Sequence, residues 1–241
     1  MHVKDKIIVA LDVPDLAAGE RLVDQLSPYA GMFKVGLELY TAAGPAAVRM
    51  IKEHGGRVFA DLKLHDIPHT VAGAVRALVR LGVDMLNVHA AGGKAMLQAA
   101  AAAVREEAAA LNRPAPVFIA VTVLTSLDRE ALHCEVGIER EVEEQVVHWA
   151  LLARESGLDG VVASPREIRA IREACGPEFG IVTPGVRPAG SDRGDQRRVM
   201  TPAAALREGA SYLVIGRPII AAPDPAAAAR AIITEIAEMG Q

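Results

Sequence analysis

The sequence predicts an α/β fold closed into a (β/α)8 TIM barrel, and three observations predict it. Short β-branched runs alternate with amphipathic helical patterns eight times along the chain. Such alternation implies parallel strands joined by right-handed crossovers, and 241 residues is the size of one closed eight-unit barrel. No Gly-x-Gly-x-x-Gly follows the first strand, where ALDVPDLAAGE carries Asp12 instead, so the barrel is preferred to an open doubly wound sheet.

The elements follow in order. Residues 6–12 (KIIVALD) form the first strand-like run, and a helical pattern covers 15–27 just after Pro14. MFKVGL at 32–37 is the second strand, with a helix over 44–54. The third strand, 57–63 (RVFADLK), breaks at a turn before Pro68, a residue suited to the first position of the helix predicted over 68–81. DMLNVHA at 84–90 precedes an Ala-rich helix over 94–111, which keeps Arg105, Glu106 and Glu107 on its surface. PVFIAVTV at 116–123 leads to a helix over 140–156, and DGVVAS at 159–164 to one over 165–175. FGIVT at 179–183 and SYLVIG at 211–216 complete the strands, with helices over 201–208 and 224–238. The longest irregular piece is 184–200 (PGVRPAGSDRGDQRRVM), and a loop of that length in a compact domain is usually functional or disordered.

Composition narrows the partners. Aromatics are only 3% of a chain rich in aliphatic residues, which suits helices on buried strands better than a base-stacking surface. With a net charge of -4 and no basic run, nucleic acid is not expected as a partner. The apolar run before Asp12 is too short for a signal peptide, and no stretch is long enough to span a bilayer, so no membrane role and a cytoplasmic location are expected. Cys134 and Cys175 are isolated and form no zinc-type cluster. Without a linker or composition shift, residues 1–241 read as one domain.

A barrel collects its chemistry at the carboxyl ends of its strands, and the unusual polar residues fall there. Strand alternation puts Phe59, Asp61 and Lys63 on one face, and Asp66 follows in the turn. Asp12 ends the first strand, Lys34 lies in the second, and Asn87 and His89 share a face of the fourth. Thr125 and Ser126 follow the fifth strand, Arg187 and Gln196 lie in the loop after the seventh, and Gly216 and Arg217 close the eighth. Plainer roles compete with these. His89 and Asn87 read as hydrogen-bonded core residues, and Asp12 could cap the helix after Pro14 with Lys34 as its counter-charge. An Asp-x-Lys pair can be an exposed ion pair of little worth. For the two arginines the fold favours function, because phosphate sites in such barrels form after strands seven and eight. A phosphate monoester held opposite an Asp-Lys-Asp cluster is the inference.

These residues carry a resemblance over nearly the whole chain. VALDVPD at 9–15, FKVGLELY at 33–40, FADLKLHDIPHTV at 59–71, VTVLTSL at 121–127, VTPGVRP at 182–188 and VIGRPI at 214–219 stand in family order. The chain resembles the orotidine 5'-phosphate decarboxylase family of the bacterial type. The resemblance implies a carboxy-lyase that turns orotidine 5'-monophosphate into UMP and CO2, the last step of de novo pyrimidine nucleotide synthesis, with no metal and no cofactor. Lys34, Asp61, Lys63 and Asp66 would form the charged catalytic array, with Lys63 the proton donor to C6. Asp12 would hold the ribose, Thr125 and Ser126 the pyrimidine side, and Arg187, Gln196, Gly216 and Arg217 the phosphate region. Asp66 and Thr70 would reach the other site of a homodimer. Residues 128–158 carry no motif. Two readings remain beside it: a magnesium-dependent sugar-phosphate decarboxylase or aldolase on the same Asp-x-Lys-x-x-Asp core, and a non-catalytic phosphate-ligand sensor, which would not need the Lys63 array.

Overall fold

The computed structural model describes residues 2–188 and 200–238. Every predicted run contains a strand: β1 Ile7–Ala10, β2 Met32–Val35, β3 Val58–Leu64, β4 Met85–His89, β5 Val117–Val121, β6 Gly160–Val162, β7 Gly180–Pro184 and β8 Tyr212–Ile215. They pair in parallel and in chain order, and β8 returns to β1 to close a (β/α)8 TIM barrel. Register explains the closure. Ile8 lies opposite Met32; after two further residues Lys34 matches Phe59, Met85 and Val117, and after two more Ile119 matches Gly160 and Gly180. Two such steps more, to Val182 beside Tyr212 and to Val214 beside Ile8, complete the circuit with a stagger of eight residues, the value expected for this barrel.

Alternation along each strand divides the core in two. Ile8, Ala10, Met32, Phe59, Met85, Ile119, Val182 and Val214 fill the barrel interior. Their neighbours, among them Ile7, Val9, Phe33, Val58, Ala60 and Ile181, face outward against the helices.

The helices are α1 Leu16–Leu26, α2 Leu37–Ala43, α3 Pro45–Glu53, α4 Pro68–Leu81, α5 Gly93–Ala110, α6 Val142–Glu155, α7 Ile168–Cys175, α8 Pro202–Arg207, α9 Arg217–Ile220 and α10 Pro225–Glu238. Their ends show why they start and stop. Asp15, not Asp12, caps α1 by accepting the Ala18 N–H at 2.8 Å. Pro68 opens α4, and Gly82 ends it in the left-handed conformation at φ 84°. Two helices and a π-helical turn at Ala131–Glu135 were not anticipated. α2 is cut from α3 by Gly44 at φ 56°, and α9 is a single turn, so neither is long enough to show a helical period.

The amino-terminal rim is held by side chains. Asp84, just before β4, accepts the Val58 N–H of β3 at 2.7 Å, and Asp159, just before β6, accepts the Phe118 N–H of β5 at 2.7 Å. Ser211, just before β8, accepts the Ile181 N–H of β7 at 3.1 Å. From α7, Arg172 donates to the carbonyls of Gly176, Pro177, Phe179 and Gly209 and to Ser211 Oγ, tying the ends of β7 and β8 together.

Candidate active site

At the other rim the site begins with an irregularity in β3. Ala60 pairs with Leu86 and Leu64 with Val88, so four residues of β3 advance against two of β4. Inside this bulge Lys63 adopts φ 51°, a left-handed backbone that a residue with a long side chain rarely takes. Strict alternation therefore fails at Lys63, yet its side chain turns back, and Nζ donates to Asp61 Oδ1 at 2.6 Å.

The charges form a chain of alternating sign. Lys34 Nζ, from the inner face of β2, lies 3.0 Å from Asp12 Oδ1 and 3.4 Å from Asp61 Oδ2. Asp61 Oδ1 takes Lys63, so the order is Asp12, Lys34, Asp61, Lys63. Lys34 and Asp61 are buried. Burial alone would raise the Asp61 pKa, but the charges of Lys34 and Lys63 and the hydrogen bonds from Lys63 and Asn87 outweigh it, and the net direction is down. Asp61 is thus held as a carboxylate between two ammonium groups. Gly36 keeps the space open: a Cβ there would stand 2.7 Å from Lys34 Nζ and 3.2 Å from Asp12 Oδ1.

A cavity of about 530 Å³ opens over this array at the carboxyl ends of the strands. Asp12, Lys34, Asp61, Lys63, Thr125, Arg187, Gly216 and Arg217 line it, while Phe59, Val121, Val123 and Pro184 form apolar walls. Arg187 is buried, and its N–H donates to the Met200 carbonyl at 3.0 Å, where a Val186–Met200 bridge joins the two ends of the long loop. Arg217 is the first residue of α9, and Gly216 precedes it with no side chain to cover the backbone. The cavity therefore has an acid-base side, an apolar wall and a cationic edge.

Other expected residues stand elsewhere. Asp66 and Thr70 are exposed outside the cavity, and Asp66 Oδ1 accepts the N–H of its own neighbour Ile67 at 2.6 Å. Ser126 is exposed and does not line the cavity, and Gln196 lies outside the described residues. His89 is also absent from the lining; its Nδ1 accepts the Ala91 N–H, and its ring stacks on His65 and meets the edge of Trp149. Burial first, then the charges of His65 and Lys63, push its pKa down to about 4.

Two residues had not been assigned to the site. Glu38 lines the cavity from α2, an element the periodicity had hidden. Asn87, read as a core residue, is indeed fully buried, but its partners belong to the array: Nδ2 donates to Asp61 Oδ1 at 2.7 Å, and Oδ1 accepts the Lys63 N–H at 2.8 Å. Its place on the inner face of the strand beside Asp61 was the available signal. Among the described residues no group of three or more His, Cys, Asp or Glu side chains could hold a metal ion, and no helix is long and apolar enough to cross a membrane.

Comparison with known proteins gives a consistent picture. Residues 5–232 match the model of the orotidine 5'-phosphate decarboxylase / HUMPS family. An orotidine 5'-phosphate decarboxylase of Moorella thermoacetica is 91% identical over 98% of this chain and 94% of its own. That of Trichlorobacter lovleyi is 57% identical over 97% of this chain and 95% of its own. The crystal structure of the Lactobacillus acidophilus enzyme of the same name superposes with a TM-score of 0.84 at 38% identity, over 95% of this chain and 98% of that one.

Proposed function

Because the chain belongs to the orotidine 5'-phosphate decarboxylase / HUMPS family, we propose that it decarboxylates orotidine 5'-monophosphate to UMP and CO2, with no metal or organic cofactor and with Lys63 as the proton donor. The observation that carries this reading is the alternating chain Asp12, Lys34, Asp61, Lys63 facing Arg187 and Arg217 across one cavity.

The chemistry follows from the charges. When the bond from C6 to the carboxylate breaks, CO2 departs and the electron pair stays on C6, where an ammonium group stabilises it better than water does. Lys63, whose Nζ is held against Asp61, then gives a proton from Nζ to C6, and the C6–H bond of UMP forms. The Asp61 carboxylate already faces Lys34, Lys63 and Asn87, so its neutralising partners are side chains of this protein. Arg187, Gln196, Gly216 and Arg217 hold the phosphate, Asp12 the ribose, and Thr125 and Ser126 the pyrimidine side, with Lys34 meeting the substrate from the catalytic array. Binding energy gained at the phosphate is spent on orienting C6 over Lys63. Residues 1–241 act as one domain, and the reaction belongs to pyrimidine nucleotide synthesis in the cytoplasm.

Asp66 and Thr70 complete the site of a second copy in a homodimer. Their exposure, at the turn before α4 and on its first turn, supports this. Two measurements test the proposal. Lys63→Ala should lose turnover by about a hundredfold or more while still binding UMP, and activity of the wild type should survive a chelator. Mixing Lys63→Ala with Asp66→Ala chains should restore about a quarter of wild-type activity, because half of randomly exchanged dimers carry one intact site. Confirmed exchange without recovery would place Asp66 in its own chain's site, and near-normal Lys63→Ala would remove the assignment.

A further inference from the structure

We propose that Asn87 is the positioning residue of this site, one buried carboxamide setting both the left-handed backbone of Lys63 and the rotation of the Asp61 carboxylate. The inference rests on the decarboxylase reading above and concerns how its proton donor is held.

Lys63 must satisfy two demands that conflict. Its φ of 51° is one that glycine adopts freely and other residues reach at a cost, but glycine carries no amine. The bulge also takes its N–H out of the ladder to β4, since no β3–β4 pairing falls between Ala60 and Leu64. Asn87 answers both problems from the strand opposite, its Oδ1 accepting that N–H at 2.8 Å. An orphaned backbone donor at this depth would favour a different loop conformation.

The same side chain acts on the acid. Asn87 Nδ2 and Lys63 Nζ donate to one oxygen of Asp61, at 2.7 and 2.6 Å, which leaves the other oxygen turned to Lys34 at 3.4 Å. A ring results: Lys63 N–H to Asn87, Asn87 to Asp61, and Lys63 Nζ back to Asp61. Because Asn87 is 0% exposed, water does not replace either bond. A residue that merely filled the interior beside Met85 and Ile119 would be apolar, as those are. A buried amide whose polar atoms both serve the acid-base array has a different task.

Two substitutions separate positioning from packing. Asn87→Ala removes donor and acceptor. Asn87→Asp keeps the shape and the acceptor for Lys63 N–H, but puts an oxygen where Nδ2 stands, 2.7 Å from Asp61 Oδ1. Two carboxylates so close share a proton, and only the protonated form of the new acid donates as the amide does. The groups facing position 87 are Asp61 and Lys63 of β3 and the apolar Ile119 of β5, with His89 two residues along its own strand. His89 is common to all variants, so the wild-type profile serves as its reference.

The test is the pH profile of kcat for orotidine 5'-monophosphate in the three proteins, with UMP dissociation constants and amide exchange of the segment 60–64. Asn87→Ala should lose about a hundredfold in kcat, the scale of a misplacement of about 1 Å, with UMP affinity within about threefold, and its Lys63 amide should exchange faster. Asn87→Asp should keep that amide protected and gain activity relative to wild type as pH falls. A kcat within fivefold of wild type in Asn87→Ala, or an Asn87→Asp profile parallel to the wild type, overturns the proposal. Failure of the wild type to release CO2 from this substrate would instead sink the decarboxylase reading, while unchanged amide exchange in Asn87→Ala would refute the backbone role independently.

Discussion

Replacing Gly36 with alanine should damage the reaction while leaving the fold nearly intact. Its φ of -91° is open to any residue, so the backbone is not strained by the change. The added Cβ would meet Lys34 Nζ at 2.7 Å, and ordinary contact begins near 3.4 Å, so the amine must withdraw by roughly 0.7 Å. A lysine tip moves without disturbing the backbone, which is why the fold is kept. The electrostatic loss is larger. At an effective dielectric of about 20, lengthening the 3.0 Å contact to Asp12 and the 3.4 Å contact to Asp61 by that amount costs about 1 kcal/mol for each if the motion is directly away. The amine cannot retreat fully from both carboxylates, so a total of about 1 to 2 kcal/mol of stability is expected to go. Because a catalytic lysine is displaced by a large part of the roughly 1 Å that typically costs about a hundredfold, a loss of about 5- to 30-fold in kcat/KM is expected beside it. The sign of a second effect is also set. Lys34 is one of the charges that lower the Asp61 pKa, so moving it away raises that pKa, and the acid limb of the profile should shift to higher pH. Loss of orotidylate absorbance measures the rate, and thermal melting checks the fold. A kcat/KM within twofold of wild type, with the acid limb unmoved, would refute this account of the Lys34 geometry.

Further expectations concern single groups. Lys63→Gly should be more stable than Lys63→Ala by about 1 kcal/mol, since only glycine relieves the left-handed backbone, and equal melting temperatures would show that the bulge relaxes instead. Arg172→Ala should cost about 2 to 4 kcal/mol in denaturant unfolding by stranding carbonyls at the ends of β7 and β8, with kcat unchanged; a loss below about 0.5 kcal/mol would make it a surface residue. His89 has a folded pKa near 4 against 6.5 for the free side chain, so the unfolded state binds its proton more readily and stability should fall as pH drops from about 6.5 through about 4. The slope should be shallower in His89→Gln, and identical slopes would contradict the assignment. Arg217→Ala should raise KM for the phosphorylated substrate strongly and leave the dephosphorylated nucleoside little affected, whereas equal losses for both would give Arg217 a role in the fold.

The strand and helix order could be read from periodicity because a helix follows every strand before the next begins, and the charged residues could be placed because a barrel gathers strand ends at one mouth. Asp61 and Lys63 came together as alternation suggested, although for Lys63 the route was a bulge, and Lys34 met them at the mouth to which the barrel assigned it. That bulge depends on the offset between β3 and β4, a relation between distant segments that no local pattern encodes. The value of Asn87 was hidden for the same reason: the residue opposite it is known only once the register is known. α2 was missed because only Leu39 of its seven residues is buried, so it brings Glu38 to the cavity without an amphipathic stripe. Asp66 and Thr70, which the resemblance assigns to the site of a second copy, are exposed on the single chain.

The rim latches of Asp84, Asp159 and Ser211 join β3 to β4, β5 to β6 and β7 to β8. No strand is latched in this way to the next pair among the described residues, so at this rim three strand couples are held to one another, and to β1 and β2, by backbone bonds and packing. Local opening should then spread by couples. The amides of Val58, Phe118 and Ile181 report on the strand that follows them as much as on their own, and a carboxamide at position 84 or 159 should loosen two strands at a time while the far rim keeps its shape.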